Sequence, residues 1–119
     1  MFVAFKDTHE PLLSTRKLRD DLQLSRERMG RIMDVSAKTI ERWEEKNALP
    51  TNRALLERLS KIQEIAQLGL SVYSAEGFRQ FLTTPLSVFD GHTALQMVEL
   101  GQAERVFGAL AADYEGLGC

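Results

Sequence analysis

Residues 24–50 have the sequence LSRERMGRIMDVSAKTIERWEEKNALP, which contains two helix starts separated by a tight turn. Ser25 can cap the first helix, because its hydroxyl can accept a hydrogen bond from a backbone N–H that otherwise has no partner. Apolar residues then recur at three- and four-residue intervals and predict a buried helix face of Met29, Ile32 and Met33. Gly30 costs a helix interior about 1 kcal/mol relative to Ala, so we expect it to serve close helix packing.

A second helix is predicted to begin after Ser36, which is another capping residue, once the chain has turned at Asp34. Its apolar face, expected to pack on the first helix, comprises Val35, Ile40 and Trp43. The other side is polar and is predicted to point into solvent.

The exposed side of this second helix has the residue types of a DNA-recognition helix. Such a helix enters the major groove, where base edges present a distinct pattern of donors and acceptors. We expect DNA contacts from Ser36, Ala37, Lys38, Thr39, Glu41, Arg42 and Lys46, with phosphate contacts from basic residues of the preceding segment that include Arg26 and Arg28. The spacing alone fits equally an ordinary antiparallel helix pair with a solvated, charged face.

A family resemblance favours the DNA-binding alternative. The strings M-G-R-I-M-D and V-S-A-K-T-I-E-R-W-E resemble the helix-turn-helix of Xre-type regulators, the class of Cro and the phage repressors. The matching residues are Met29, Gly30, Val35, Ser36, Thr39, Ile40, Trp43 and Glu44. Asp34 departs from the pattern, because a glycine is usual at that position.

Charge is distributed unevenly along the 119 residues, whose formal net charge is −2. Residues 1–63 hold 13 Lys and Arg against 10 Asp and Glu, whereas residues 64–119 hold 2 against 7. This asymmetry predicts a basic half that meets phosphates and an acidic half that meets another partner.

The chain is predicted to be all-α, with a helix-turn-helix module over residues 1–50, a connecting helix over 51–72 and a small helical domain over 73–119. The connecting helix is predicted to run from Asn52 or Thr51 to about Leu70, and a core helix is favoured over a dimer seam because its apolar stripe is broad. Shorter helices are predicted after Ser74 and Thr93, and a last one from Gln102 to about Tyr114.

The third segment carries a second resemblance. The strings F-L-T-T-P, F-D-G-H-T-A-L-Q-M-V, G-Q-A-E-R-V-F-G-A-L and D-Y-E-G resemble the C-terminal domain of the MbcA/ParS/Xre antitoxins. Phe81 stands where that family usually has tryptophan, and Ala94 replaces a common proline. The two resemblances together span about residues 18 to 117, in the order that the family shows.

The resemblance implies an antitoxin that binds and neutralises a RES-domain toxin, an NAD-degrading enzyme, and represses its own operon by binding operator DNA. In that family the C-terminal segment blocks the toxin's active-site pocket. Carried over to this sequence, the toxin-binding tail comprises Tyr114, Glu115, Gly116, Leu117 and Gly118. A homodimer is also expected, because two helix-turn-helix units that bind adjacent half-sites gain affinity and specificity.

The sequence predicts neither catalysis nor a cofactor. His9 and His92 are too few and too far apart to form a metal site with Cys119 at any familiar spacing. No phosphate-binding glycine loop, nucleophile motif or paired-carboxylate motif occurs. The single cysteine, and the lack of a signal peptide or a long apolar span, predict a cytoplasmic protein without membrane segments.

Two alternatives to the antitoxin hypothesis remain open. The protein could be a stand-alone repressor whose C-terminal half serves only dimerisation. It could also be a protein-interaction module whose helix-turn-helix does not bind DNA, an alternative based on the closely spaced acids Glu41, Glu44 and Glu45.

Overall fold

A computed structural model describes residues 13–117, with side chains through residue 116. This part of the chain is all-α, as predicted, and contains no strand. Its helices are α1 (Thr15–Leu22), α2 (Arg26–Met33), α3 (Ala37–Lys46), α4 (Arg53–Val72), α5 (Ala75–Thr83), a 3-10 helix (Ser87–Phe89), α6 (Ala94–Glu99) and α7 (Ala103–Leu117). His9, Gly118 and Cys119 lie outside the described residues.

The predicted helix starts are confirmed by their caps. Ser25 accepts a hydrogen bond from the backbone N–H of Arg28 at 3.0 Å, and Ser36 accepts one from Thr39 at 3.0 Å. Asn52 caps α4 in the same way. These bonds satisfy helix N–H groups that have no partner within the helix.

The connection between α2 and α3 is three residues long and turns at Asp34. This residue adopts the left-handed conformation, with φ at 60°. Asp and Asn tolerate that region better than most non-glycine residues, which explains why the chain turns here without glycine.

The long helix α4 lies against α1, α2, α5 and α7. Its buried stripe consists of Leu59, Ile62, Ile65, Ala66 and Gly69, so it is a core helix, as predicted. Buried residues from α1 through α7 form one hydrophobic cluster, which includes the predicted face of α2 with Met29, Ile32 and Met33 each at most 1% exposed. The division into three domains stays a prediction.

Two helix ends differ from the sequence prediction. Helix α4 continues to Val72 rather than about Leu70, and α7 continues to Leu117 rather than about Tyr114. Gly116 therefore lies within a helix in this structure. Helical hydrogen bonds propagate cheaply once a helix has formed, so one glycine near the end does not stop α7.

Among the described residues, no helix is both long and apolar enough to cross a bilayer. The same residues contain no group of three or more His, Cys, Asp or Glu side chains placed to hold a metal ion.

Gly30 allows α2 to approach the start of α3 closely, as the sequence predicted. A methyl group at this position would lie 2.6 Å from the backbone oxygen of Val35 and 3.3 Å from the backbone nitrogen of Ala37. Both atoms belong to the backbone, so they cannot turn away as a side chain can.

We expect Gly30→Ala to destabilise the protein by about 1–3 kcal/mol, despite the better helix propensity of alanine, because overpacking forces the backbone to shift. Urea unfolding followed by circular dichroism measures the change. Gly108→Ala is a matched control, because a methyl group there meets no atom within 4 Å. Equal stability of the two variants would contradict a packing role for Gly30.

Candidate DNA-binding surface and C-terminal helix end

Helix α3 presents a polar surface on the side opposite its buried Ile40, which is 0% exposed. The side chain of Lys38 is 81% exposed and lies 3.5 Å from the Glu41 carboxylate. Arg42 and Lys46 are exposed as well, whereas Glu41 is partly covered. Because exposed ion pairs of this kind are weak, the ammonium of Lys38 remains available to an external anion.

The start of α3 is fixed by two short side chains. Ser36 donates its hydroxyl hydrogen to Thr39 Oγ1 at 3.0 Å and accepts the backbone N–H of the same residue. Arg42 Nη2 lies 3.5 Å from Thr39 Oγ1. Together with the half-buried Ala37, these residues form one end of the predicted DNA-binding surface, and the structure therefore brings together the side chains predicted on α3.

Glu44 lies on the opposite, inward side of α3. Its side chain is 1% exposed, and its oxygens accept bonds from Arg19 Nε at 2.6 Å, Arg19 Nη2 at 3.1 Å and Arg26 Nε at 3.1 Å. The interaction-module alternative counted Glu44 among three neighbouring acids on α3. In the structure Glu44 is not part of that surface. Its side chain is buried, and its ion pairs join α3 to α1 and α2.

The environment of Glu44 shifts its titration. Burial on its own raises the pKa of this carboxyl, but the hydrogen bonds and positive charges of Arg19 and Arg26 outweigh it, so the pKa lies below its ordinary value. Glu44 is therefore ionised at neutral pH, as an ion pair between helices requires.

The predicted phosphate-binding arginines have partners within the chain. Arg26, with 39% of its side chain exposed, bonds to Glu44, whereas Arg28 lies 2.5 Å from the Glu99 carboxylate of α6. Arg31, which is more exposed at 59%, lies 3.7 Å from the same carboxylate. None of these partners is evident from the sequence, because the contacts join residues far apart in the chain.

The predicted toxin-binding tail begins within the last turns of α7. Tyr114 is 53% exposed, and Glu115 and Gly116 are exposed too. The last fully buried side chain of this helix is Leu110. The structure therefore places the described side chains of this segment on the surface, beyond the hydrophobic core.

A hydrogen bond joins the end of α7 to the end of α4. The hydroxyl of Tyr73 donates to Asp113 Oδ2 at 2.7 Å, and this bond, with burial, raises the pKa of Tyr73 to about 12. The ring of Tyr73 also stacks on Phe81, with ring centroids 5.7 Å apart. The sequence does not indicate this pair, because its members are 40 positions apart.

An open groove of about 580 Å³ lies beside this hydrogen bond, between α5, the 3-10 helix and α7. Phe81, Leu86 and Ala109 contribute apolar surface to it, and Val88, with 56% exposure, stands at its edge. The sequence motif F-L-T-T-P ends in this region, so the groove lies in the segment that carried the second resemblance.

The all-helical arrangement defines the chain as a small α-protein built around α4, with the polar face of α3 and the end of α7 as its two candidate binding regions. The fold is similar to that of a chain in the crystal structure of the M. tuberculosis MbcT–MbcA toxin–antitoxin complex, with a TM-score of 0.71 and 22% sequence identity over 86% of this chain and 91% of that chain. At this identity the likeness establishes a shared fold. No family model and no curated protein matches the sequence.

Proposed function

We propose that this protein is the antitoxin of a toxin–antitoxin system. The observation that carries the proposal is the fold shared with a chain of the MbcT–MbcA toxin–antitoxin complex, which extends over 86% of this chain. It is supported by the sequence motifs of residues 81–116, which lie on α5, α6, α7 and the turns between them.

The partner that we propose is a RES-domain toxin, neutralised by a segment that blocks its active site. The exposed end of α7 supports this role, because Tyr114 and Glu115 project beyond the core and are accessible to another protein. The toxin's cleft would bind its anionic cofactor through a cationic group. A carboxylate from this tail that entered the cleft would pair with that group in place of the cofactor.

Co-expression of the full chain with a RES-domain toxin, chosen from the neighbouring open reading frames if one of them encodes such a toxin, tests this proposal. We expect the toxin to copurify with the chain and host cells to survive toxin induction. Survival without copurification, or cell death despite soluble antitoxin, would contradict neutralisation by direct binding. If no such toxin is bound but operator DNA is, the stand-alone repressor is the remaining candidate.

We also propose that α3 binds operator DNA and so represses the protein's own operon. The support is the exposed cationic surface of Lys38, Arg42 and Lys46 on a capped helix that follows a three-residue turn. The inward position of Glu44 leaves this surface less acidic than the sequence suggests.

We expect Lys38→Ala and Arg42→Ala each to weaken binding to a duplex of the upstream region about tenfold. Each substitution should also reduce the slope of log affinity against log salt by about 1, because one cation that pairs with a DNA phosphate is removed. Fluorescence anisotropy at several KCl concentrations measures both quantities. Arg53→Ala is the matched control, because Arg53 is 91% exposed and lies on α4. Affinities that fall equally for all three variants would indicate a general charge effect rather than binding by α3.

A further inference from the structure

Glu99 connects the acidic half of the chain to two arginines of α2. Its carboxylate lies 2.5 Å from Arg28 Nε and 3.7 Å from Arg31 Nε. Glu99 is the last residue of α6, in the half of the chain that we propose to bind the toxin. The two ion pairs of Glu99 therefore join the two candidate functional regions.

The position of Glu99 is held by the packing around it. Arg58 of α4 donates one hydrogen bond to the carbonyl of Ile32 at the end of α2, and another, at 3.2 Å, to the carbonyl of Val98 next to Glu99. Helix α6 also packs against α2. The end of α6, which carries Glu99, is therefore held beside α2.

An open groove of about 530 Å³ runs between Glu99 and the start of α3. It is lined by Glu99, Gly30, Arg31, Asp34, Val35 and Ser36. Because Ser36 caps the proposed recognition helix, the carboxylate borders the surface that would face DNA. A fixed negative charge there opposes the approach of phosphates.

The contact between Arg28 and Glu99 is ionic but poorly formed. Arg28 Nε and Glu99 Oε2 are both covered from solvent, and neither makes a hydrogen bond. The planar guanidinium of arginine binds phosphate best through two parallel, aligned hydrogen bonds. A phosphate that displaced Glu99 could accept such aligned bonds from Arg28, which the carboxylate does not accept in the present arrangement.

We propose that Glu99 is an autoinhibitory contact, which occupies Arg28 and Arg31 and must be displaced before these arginines bind DNA phosphates. A partner that moves α6 would release the arginines, so this contact couples partner binding to DNA affinity. The inference rests on the proposed DNA-binding function.

Glu99→Gln tests the contact, because it removes the charge and keeps the shape of the side chain. Glu104→Gln makes the same change in net charge on α7, where the 78% exposed carboxylate pairs with Lys61. Binding to two labelled duplexes, one from the upstream region and one of unrelated sequence, is measured by fluorescence anisotropy between roughly 50 and 300 mM KCl, a range over which the release of even one ion changes the affinity measurably.

We expect Glu99→Gln to bind both duplexes about five- to tenfold more tightly than the wild type, with a salt slope steeper by about 1 to 2, because two arginines become free for phosphates. Glu104→Gln should stay within about twofold of the wild type, since its carboxylate pairs with Lys61 and not with these arginines. Arg28→Gln should cost more affinity in the Glu99→Gln background than in the wild type, since only there is the guanidinium free.

Three results would overturn the inference: equal affinities of Glu99→Gln and Glu104→Gln, weaker binding by Glu99→Gln, or a gain that persists unchanged when Arg28 and Arg31 are both replaced by Gln. Weaker binding would show that Glu99 orients the arginines for DNA instead. If the wild type and all variants fail to bind either duplex at the lowest salt, both this inference and the proposed DNA-binding function are overturned. Binding by the wild type without a gain in Glu99→Gln overturns the inference alone.

Discussion

Deletion of residues 114–119 is expected to restore the toxicity of a co-expressed RES-domain toxin, reducing colony counts by orders of magnitude relative to the full chain. The physical reason is that the proposed inhibitory segment is removed while the core is kept. Leu110, the last fully buried residue of α7, remains, and so does the hydrogen bond between Tyr73 and Asp113. The measurement is colony formation after toxin induction, with the shortened chain shown to be soluble.

Two controls make this deletion interpretable. The shortened chain should melt within a few degrees of the full chain and bind the upstream duplex with unchanged affinity, because no described buried side chain is removed. Lys38→Ala should behave in the opposite way, with DNA binding weakened and toxin neutralisation intact. Continued protection by a folded chain that lacks residues 114–119 would show that another surface, such as the groove beside Val88, blocks the toxin.

Replacement of Glu44 by Ala is expected to lower the free energy of unfolding by about 2–3 kcal/mol and the melting temperature by about 10 °C. The substitution leaves Arg19, whose side chain is 18% exposed, without its carboxylate partner. Loss of one member of a buried ion pair is costly, because the remaining charge stays desolvated. The cost is smaller here than for a fully buried pair, because Arg26 is 39% exposed and water can solvate its charge once Glu44 is gone.

Glu45→Ala is the matched control for this substitution, because Glu45 is the neighbouring residue on α3 and is exposed. Its effect should stay within about 0.5 kcal/mol, as for most surface substitutions. Chemical unfolding monitored by circular dichroism measures both variants. Equal stability of the two would mean that the ion pairs between α3, α1 and α2 contribute nothing to the fold.

The effect of Glu44→Ala should also depend on pH. The folded-state pKa of Glu44 lies below its ordinary value of 4.5, so its contribution is fully present above that pH and is lost as pH falls through the folded pKa. The stability difference between wild type and Glu44→Ala should therefore be constant from pH 7 to about 5.5 and shrink below 4.5. A difference that is unchanged at pH 3 would contradict an electrostatic origin.

Local sequence determined most of the fold. The caps at Ser25, Ser36 and Asn52 and the turn at Asp34 depend on residues within four positions of each other, so their physical causes are visible in the sequence. The apolar spacing of α2 identified its buried face for the same reason. The end of α7 is the exception, because the predicted end at about Tyr114 falls short of Leu117, where the helix ends in the structure.

The candidate site was predicted only in part. The residue types on the outer face of α3 follow from helical periodicity, and the structure places Lys38 and Arg42 there as expected. Periodicity did not indicate the inward position of Glu44, because a glutamate on a helix is ordinarily solvated. Its burial is favourable only because Arg19 of α1 and Arg26 of α2 lie beside its carboxylate.

The sequence by itself determined that this protein is all-α, where its helices start, which faces are apolar and that its charge is divided between two halves. The tertiary structure alone decided which distant polar side chains meet: Glu44 pairs with Arg19 and Arg26, Glu99 pairs with Arg28 and Arg31, and the neutral Tyr73 hydroxyl bonds to Asp113. Caps and periodicity act over one or two helical turns, so the sequence displays them. Ion pairs between helices join residues 18 to 71 positions apart, and their existence depends on how the helices pack around α4.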